Sequence, residues 1–145
     1  MQYIFDSGKT LRYSFPTHIN DLVMDRSEAS YSEVFLVLIE SGKAPPLHKH
    51  DDTEQIFYII GGQGTLVTGN NDQQMFDVEP GHVIRIPVST WHTIRADRGT
   101  DIRYLAIDCF GYILKDDEPT WDAHVRTLCR EQGWDYDEAT DPAEK

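Results

Sequence analysis

The chain has 145 residues, 13 of them basic and 25 acidic, for a formal charge of −12. A chain this long suits one domain that buries roughly 70% of its unfolded surface, so a core needs neither disulfides nor a structural metal. The acidic balance repels phosphate backbones and anionic headgroups, which argues against nucleic acid and the membrane as partners.

Two cysteines, Cys109 and Cys129, form neither a CxxC pair nor a disulfide framework. No apolar run approaches the roughly 20 residues of a membrane-spanning helix, and MQYIFDSGKTLRY lacks a basic end followed by an apolar stretch. Reduced thiols in a cytoplasmic protein are the expectation.

Residues 1–25 mix aromatic and β-branched residues without helical period and read as short strands, an arm along a sheet edge where Pro16 is tolerated. His18 has no ligand-spaced neighbour and reads as structural or exposed. The run VFLVLI at 34–39 is apolar on both parities and too short for a helix, which predicts a strand covered on both sides. Ser41 and Gly42 turn the chain, and Pro45 and Pro46 keep the next segment extended, as at a barrel rim.

The stretch 42–61, GKAPPLHKHDDTEQIFYIIG, carries the candidate chemistry. His48 and His50 are two apart, so on a strand both imidazoles face one side with alpha carbons about 6.6 Å apart and can reach one ion. Glu54 needs a bend to join them, because a straight strand would carry it about 13 Å beyond His50. Asp51, Asp52 and Thr53 suit such a bend. Glu54 would then open a returning strand and share a face with Ile56, Tyr58 and Ile60, with Gln55, Phe57 and Ile59 on the other.

Glycines 61, 62 and 64 make a turn, followed by a short strand TLVT at 65–68, a polar loop GNNDQQ at 69–74 and a half-buried strand MFDVE at 75–79. Pro80 and Gly81 turn into HVIRIP, where His82 reads as a rim residue. After VSTW come the strands HTIRA from His92 and DIRYLAIDCF at 101–110. The last strand leaves two faces open, Tyr104 with Ala106 and Asp108, or Arg103 with Leu105 and Ile107. Short strands with turn signals at this spacing predict a sandwich or barrel.

Trp121, Val125 and Leu128 then fall at helical spacing between a capping Thr120 and a stopping Gly133, predicting an amphipathic helix over 121–132, on the barrel's outside or across its mouth. His124 lies on it without a second ligand in range and reads as structural or solvent-facing. The tail from Trp134 is acidic and is expected to end in disorder. The whole divides into N-terminal strands (1–30), barrel core (31–112) and C-terminal helix with acidic tail (113–145) of one domain.

Gly42, His48, His50, Glu54 and Gly61 fit the pattern G(X)5HXH(X)3E(X)6G, and Gly81, Pro87 and His92 fit G(X)5PXG(X)2H(X)3N in register. The chain therefore resembles the cupin superfamily over residues 42–96, departing where Ser89 replaces Gly and Ala96 replaces Asn. The resemblance implies an all-β antiparallel jelly-roll barrel in which His48, His50, Glu54 and His92 hold a divalent transition metal. Three imidazoles and a carboxylate suit iron first, with manganese, nickel, copper or zinc also accommodated.

Such a site keeps a net charge of about +1, favouring an anionic or enolate-forming small molecule. Tyr58 and Glu54 are the candidate catalytic groups. The expected function is a mononuclear metal dioxygenase; the alternatives are a metal-dependent isomerase, epimerase or lyase on a sugar or small acid, and a non-catalytic binding module. Barrel edges and the N-terminal arm point to a homodimer.

Overall fold

The computed structural model describes residues 1–111 and 117–141. Its nine strands are β1 (Leu11–Ser14), β2 (Ile19–Met24), β3 (Ser32–Ile39), β4 (Thr53–Gly61), β5 (Gly64–Thr68), β6 (Gln74–Val78), β7 (Val83–Ile86), β8 (His92–Ala96) and β9 (Ile102–Phe110). They form an antiparallel six-stranded sheet in the order β1-β2-β3-β9-β4-β7 and a three-stranded sheet in the order β6-β5-β8. This is the jelly roll that the resemblance implies, with the N-terminal pair β1 and β2 extending one edge.

Register arranges the inner face of the large sheet in transverse rows. Tyr13, Asn20, Val37, Tyr104 and Ile59 form one row; Phe35, Ala106, Phe57 and Ile84 form the next. A third row, Glu33, Asp108, Gln55 and Ile86, is mostly polar. The face left open on β9 is thus settled: Tyr104, Ala106 and Asp108 point inward and Arg103 is exposed. Arg103 stays in water, where its charge needs no buried partner.

The expectation for β6 is corrected. Only Val78 is buried, and Met75 and Phe76 are exposed, because β6 is the uncovered edge of the small sheet.

α1 (Trp121–Gln132) starts at Thr120, whose hydroxyl accepts from the Ala123 N–H, and stops at Gly133 in the left-handed conformation. Trp121 and Val125 anchor it to the barrel core, while His124, Thr127, Leu128 and Glu131 face the interior cavity. The helix therefore lies across the barrel mouth. A one-turn helix, α2 (Tyr136–Ala139), follows it, a feature the sequence reading did not include. Residues 112–116, where the barrel was expected to end, and 142–145, where disorder was expected, lie outside the described residues. Among the described residues no helix is long and apolar enough to cross a membrane, and both cysteines are free.

Candidate metal centre

The segment from Gly42 to His50 runs antiparallel along the free edge of β8. The Gly42 N–H donates to the Ala96 carbonyl, the Ala96 N–H to Lys43, and His48 and His92 exchange both backbone bonds at 3.2 and 2.8 Å. That pairing sets His48 directly opposite His92. The chain then bends at Asp51 and Asp52 into β4. Ser89 braces the bend, its N–H donating to the His50 carbonyl at 2.7 Å and its hydroxyl to Asp51 at 2.9 Å. It does so with φ of +59°, so serine adopts at this position the left-handed backbone that glycine takes without strain.

One donor nitrogen each from His48, His50 and His92 lie within 4.8 Å of one another, so the structure brings these three expected ligands together. Glu54 does not join them, which is a correction. The bend places Gln55, Phe57 and Ile59 inward and turns Glu54 out, where its carboxylate is 39% exposed and accepts from Arg85 at 3.3 Å. Tyr58 shares that outer face at 48% exposure, so neither proposed catalytic group reaches the cavity.

The inward residue at this point is Gln55, four positions after His50 plus one. The closing glycine moves with it. A Cβ on Gly61 would meet nothing, whereas Gly62 has φ of +80° and a Cβ there would sit 1.8 Å from the Asp101 carbonyl oxygen. Gln55 and Gly62 therefore occupy the positions that the sequence reading gave to Glu54 and Gly61. The doublet Gly61-Gly62 is the signal in the sequence that a register one residue later is open.

Hydrogen bonding fixes the donor chemistry. His92 Nδ1 lies 2.8 Å from the Thr90 carbonyl and His48 Nδ1 2.6 Å from the Pro46 carbonyl. A carbonyl can only accept, so each Nδ1 carries the proton and each Nε2 keeps its lone pair in the neutral ring. Gln55 Nε2 donates to Asp108 at 2.7 Å, which aims Gln55 Oε1 at His92 Nε2, 2.8 Å away. With this amide orientation two lone pairs face each other; a cation, a proton on His92, or the turned amide, which donates to His92 Nε2 while a protonated Asp108 donates to its oxygen, each reconciles them. The proton on His92 is disfavoured: burial, with His48 nearby, lowers His92 to about 4, and burial also lowers His48.

A first-row cation fits the donors, since each neutral imidazole can offer it one ring nitrogen. His48, His50 and His92 would hold the ion, with the Gln55 amide oxygen beside them.

Behind Gln55 the polar row continues. Burial and the adjacent Glu33 raise Asp108 well above the usual carboxylate range, against the opposing pull of Gln55 and Arg26. Glu33 is fully buried and takes both ends of the Arg26 guanidinium, at 2.7 and 2.9 Å. Arg26 also donates to the Glu118 carbonyl at 3.1 Å and lies over the Phe110 ring. The chain His92–Gln55–Asp108–Glu33–Arg26 fixes the wall of the site from the turn at Arg26–Glu28 to the histidine cluster.

The centre opens into a cavity of about 420 Å³ between the barrel and α1. His18 and His124, read from sequence as structural or exposed, both line it. His18 packs against Phe15 and Trp134, and burial with His48 nearby lowers it to about 3. His124 pairs with Glu118 at 3.1 Å. Sequence could not place either, since each reaches the site only through tertiary packing. His82 remains at the exposed rim, its ring accepting from the Glu79 N–H.

Comparison with known proteins decides the family. The profile described as a cupin domain matches residues 35–108, just over half the chain. The chain belongs to the cupin family. An uncharacterized protein of Methanocaldococcus jannaschii, MJ1618, is 31% identical over 81 residues, which are 56% of this cupin and 62% of that protein, so the match spans less than two thirds of its length. Among solved structures, a predicted oxalate decarboxylase of Thermotoga maritima superposes with a TM-score of 0.66 at 16% identity, covering 75% of this chain and 100% of its own. The polyketide cyclase RemF of Streptomyces resistomycificus gives 0.65 at 18%, covering 81% and 89%. At such identities these two share the fold.

Proposed function

We propose that this cupin is a metal-dependent enzyme that carries out acid–base chemistry, of the isomerase, lyase or cyclase kind, on a small carbonyl compound. The observation that carries the reading is the cluster of His48, His50 and His92 at the cavity, with the Asp108 carboxyl on the same cavity wall. A divalent ion held by His48, His50 and His92 would polarise a carbonyl oxygen. Asp108 is placed to hold or move a proton, and Gln55 orients it. Phe35, Phe57 and Ile94 keep that end of the cavity apolar. The fold neighbours named as a predicted oxalate decarboxylase and a polyketide cyclase are consistent with non-oxygenase chemistry on this fold.

With Gln55 in place of Glu54 the donor set is neutral, so the ion's full charge faces the cavity. The mouth, however, is acidic, with Asp51, Asp52, Asp117 and Glu131 against Lys49. This supports a substrate that enters uncharged and develops negative charge only at the centre, and no longer the anionic molecule expected from sequence.

A dioxygenase is the second reading. It is favoured by the three imidazoles at one end of an open cavity, which suit ferrous iron and leave a side for further ligands. A homodimer is proposed as well, supported by exposed Tyr58, Ile60 and Val83 on the outer side of β4 and β7; light scattering on the eluted protein would give the monomer mass if this is wrong.

The test of function is solvent deuterium incorporation into enolisable carbonyl compounds, followed by NMR. The acid–base reading predicts exchange by zinc-loaded protein without oxygen and its loss in Asp108→Asn. Turnover that needs both ferrous iron and oxygen would replace it by the dioxygenase reading.

A further inference from the structure

The three imidazoles of the cluster do not exhaust the histidines at this cavity. His124, in the first turn of α1, also borders it, and its Nδ1 lies 3.1 and 3.4 Å from the two carboxylate oxygens of Glu118. A carboxylate accepts, so Nδ1 carries the proton and the neutral ring keeps its lone pair at Nε2. Among the described residues none bonds Nε2, and the side chain is 26% exposed, whereas that of Glu118 is only 9% exposed.

This pair is mounted on the same frame as Asp108. The Glu118 carbonyl accepts from Arg26 at 3.1 Å, and the Arg26 guanidinium grips Glu33, the neighbour of Asp108 across the sheet. Trp121, its ring 5.5 Å from that of His124, packs against Phe35 on the barrel wall. His124 is also close enough to His48 for its positive form to lower that group. One buried arginine thus ties a carboxyl on β9 and an imidazole on α1 to a common cavity.

Acid–base chemistry on a carbonyl compound needs a group that takes a proton as well as one that gives it. Asp108, on the reading above, gives one, and His48, His50 and His92 would commit their lone pairs to the ion. His18 is a poor base, since burial with His48 nearby lowers it to about 3. Carboxylates such as those at the mouth are weaker bases than imidazole. Resting on the acid–base reading above, we propose that His124 is the base, its Nε2 taking a proton from the carbon beside the substrate's carbonyl while Glu118 positions the ring and balances the imidazolium. The C–H electron pair becomes a C=C bond, the carbonyl π pair moves to oxygen, and Asp108 gives that oxygen its proton. The imidazolium trades its proton with solvent before the step reverses, which leaves solvent hydrogen on carbon.

The test follows deuterium from solvent into dihydroxyacetone, cyclohexanone and phenylacetone by NMR, on zinc-loaded protein. The native protein should exchange at least one of them. His124→Gln, checked for native circular dichroism and zinc affinity, should exchange it at least about a hundredfold more slowly. Any smaller loss would overturn the proposal; if Asp108→Asn still abolishes exchange, the acid–base reading stands without it. Loss of zinc from His124→Gln would make His124 a ligand and overturn the proposal too. No exchange of any probe by the native protein would remove the acid–base reading, and the base with it.

A second arm needs neither zinc nor substrate, nor the His124→Gln protein. In long-range proton–nitrogen NMR at mildly alkaline pH, native His124 should carry its proton on Nδ1, and Glu118→Ala should shift that proton toward Nε2. A native proton on Nε2, or a tautomer unmoved in Glu118→Ala, would overturn the proposal.

Discussion

On the inner face of β4, Gln55 is held between His92 and Asp108, while one residue earlier on the outer face Glu54 meets solvent and Arg85. Both faces continue with apolar residues, Phe57 and Ile59 inside, Ile56, Tyr58 and Ile60 outside. Composition along the strand thus distinguishes them poorly. What separates them is the path of the bend at Asp51 and Asp52, because side chains alternate and a single residue of register exchanges the two faces completely. Chemistry on this strand follows from how the chain enters it.

The comparison breaks most severely where the inner polar row is anchored. Glu33 and Arg26 are buried together, so Glu33→Ala or Arg26→Ala leaves a charge uncompensated and should cost about 3–5 kcal/mol in urea unfolding. A loss below about 1 kcal/mol, the range of an exposed pair, would show that the row does not hold the wall. Next comes His92→Ala. It should weaken zinc binding by at least about a hundredfold, more than the loss of a mere supporting contact; undiminished metal content would remove His92 from the centre.

His18 gives a subtler effect. Its folded value of about 3 lies below the usual 6.5, so between those values the unfolded chain binds the extra proton. Stability from this group is full above about pH 6.5 and is lost as pH falls toward 3, with a slope of up to about 1.4 kcal/mol per pH unit. In chelator-treated protein, His18→Phe should flatten that slope; an unchanged slope would mean that His18 titrates normally. The outer face should matter least. Glu54→Gln should shift stability by no more than about 0.5 kcal/mol.

Much of this was legible in the sequence because it depends on local pattern. The strands and the helix with its Thr120 cap and Gly133 stop follow from period and turn signals, and the shared face of His48 and His50 from their spacing, while the joining of His92 to them followed from the resemblance to cupins. Glu54 was misplaced because the bend could contain three or four residues before the inward position, and only packing chose between them. Tyr58 was misplaced with it, sharing the same parity. The face of β9 stayed open because Leu105 and Ile107 favoured one side while Arg103 beside them would need a carboxylate; Asp108 is the inward choice, with Glu33 across the sheet on one side and Gln55 on the other. The departure at Ser89 reads as harmless now that its backbone is seen to keep the left-handed turn.

Zinc affinity of Glu54→Ala beside that of Gln55→Ala tests the central claim most directly. The inner-face centre predicts that Glu54→Ala binds like the native protein and that Gln55→Ala binds about 10- to 100-fold more weakly. Loss of binding in Glu54→Ala with native affinity in Gln55→Ala would contradict it.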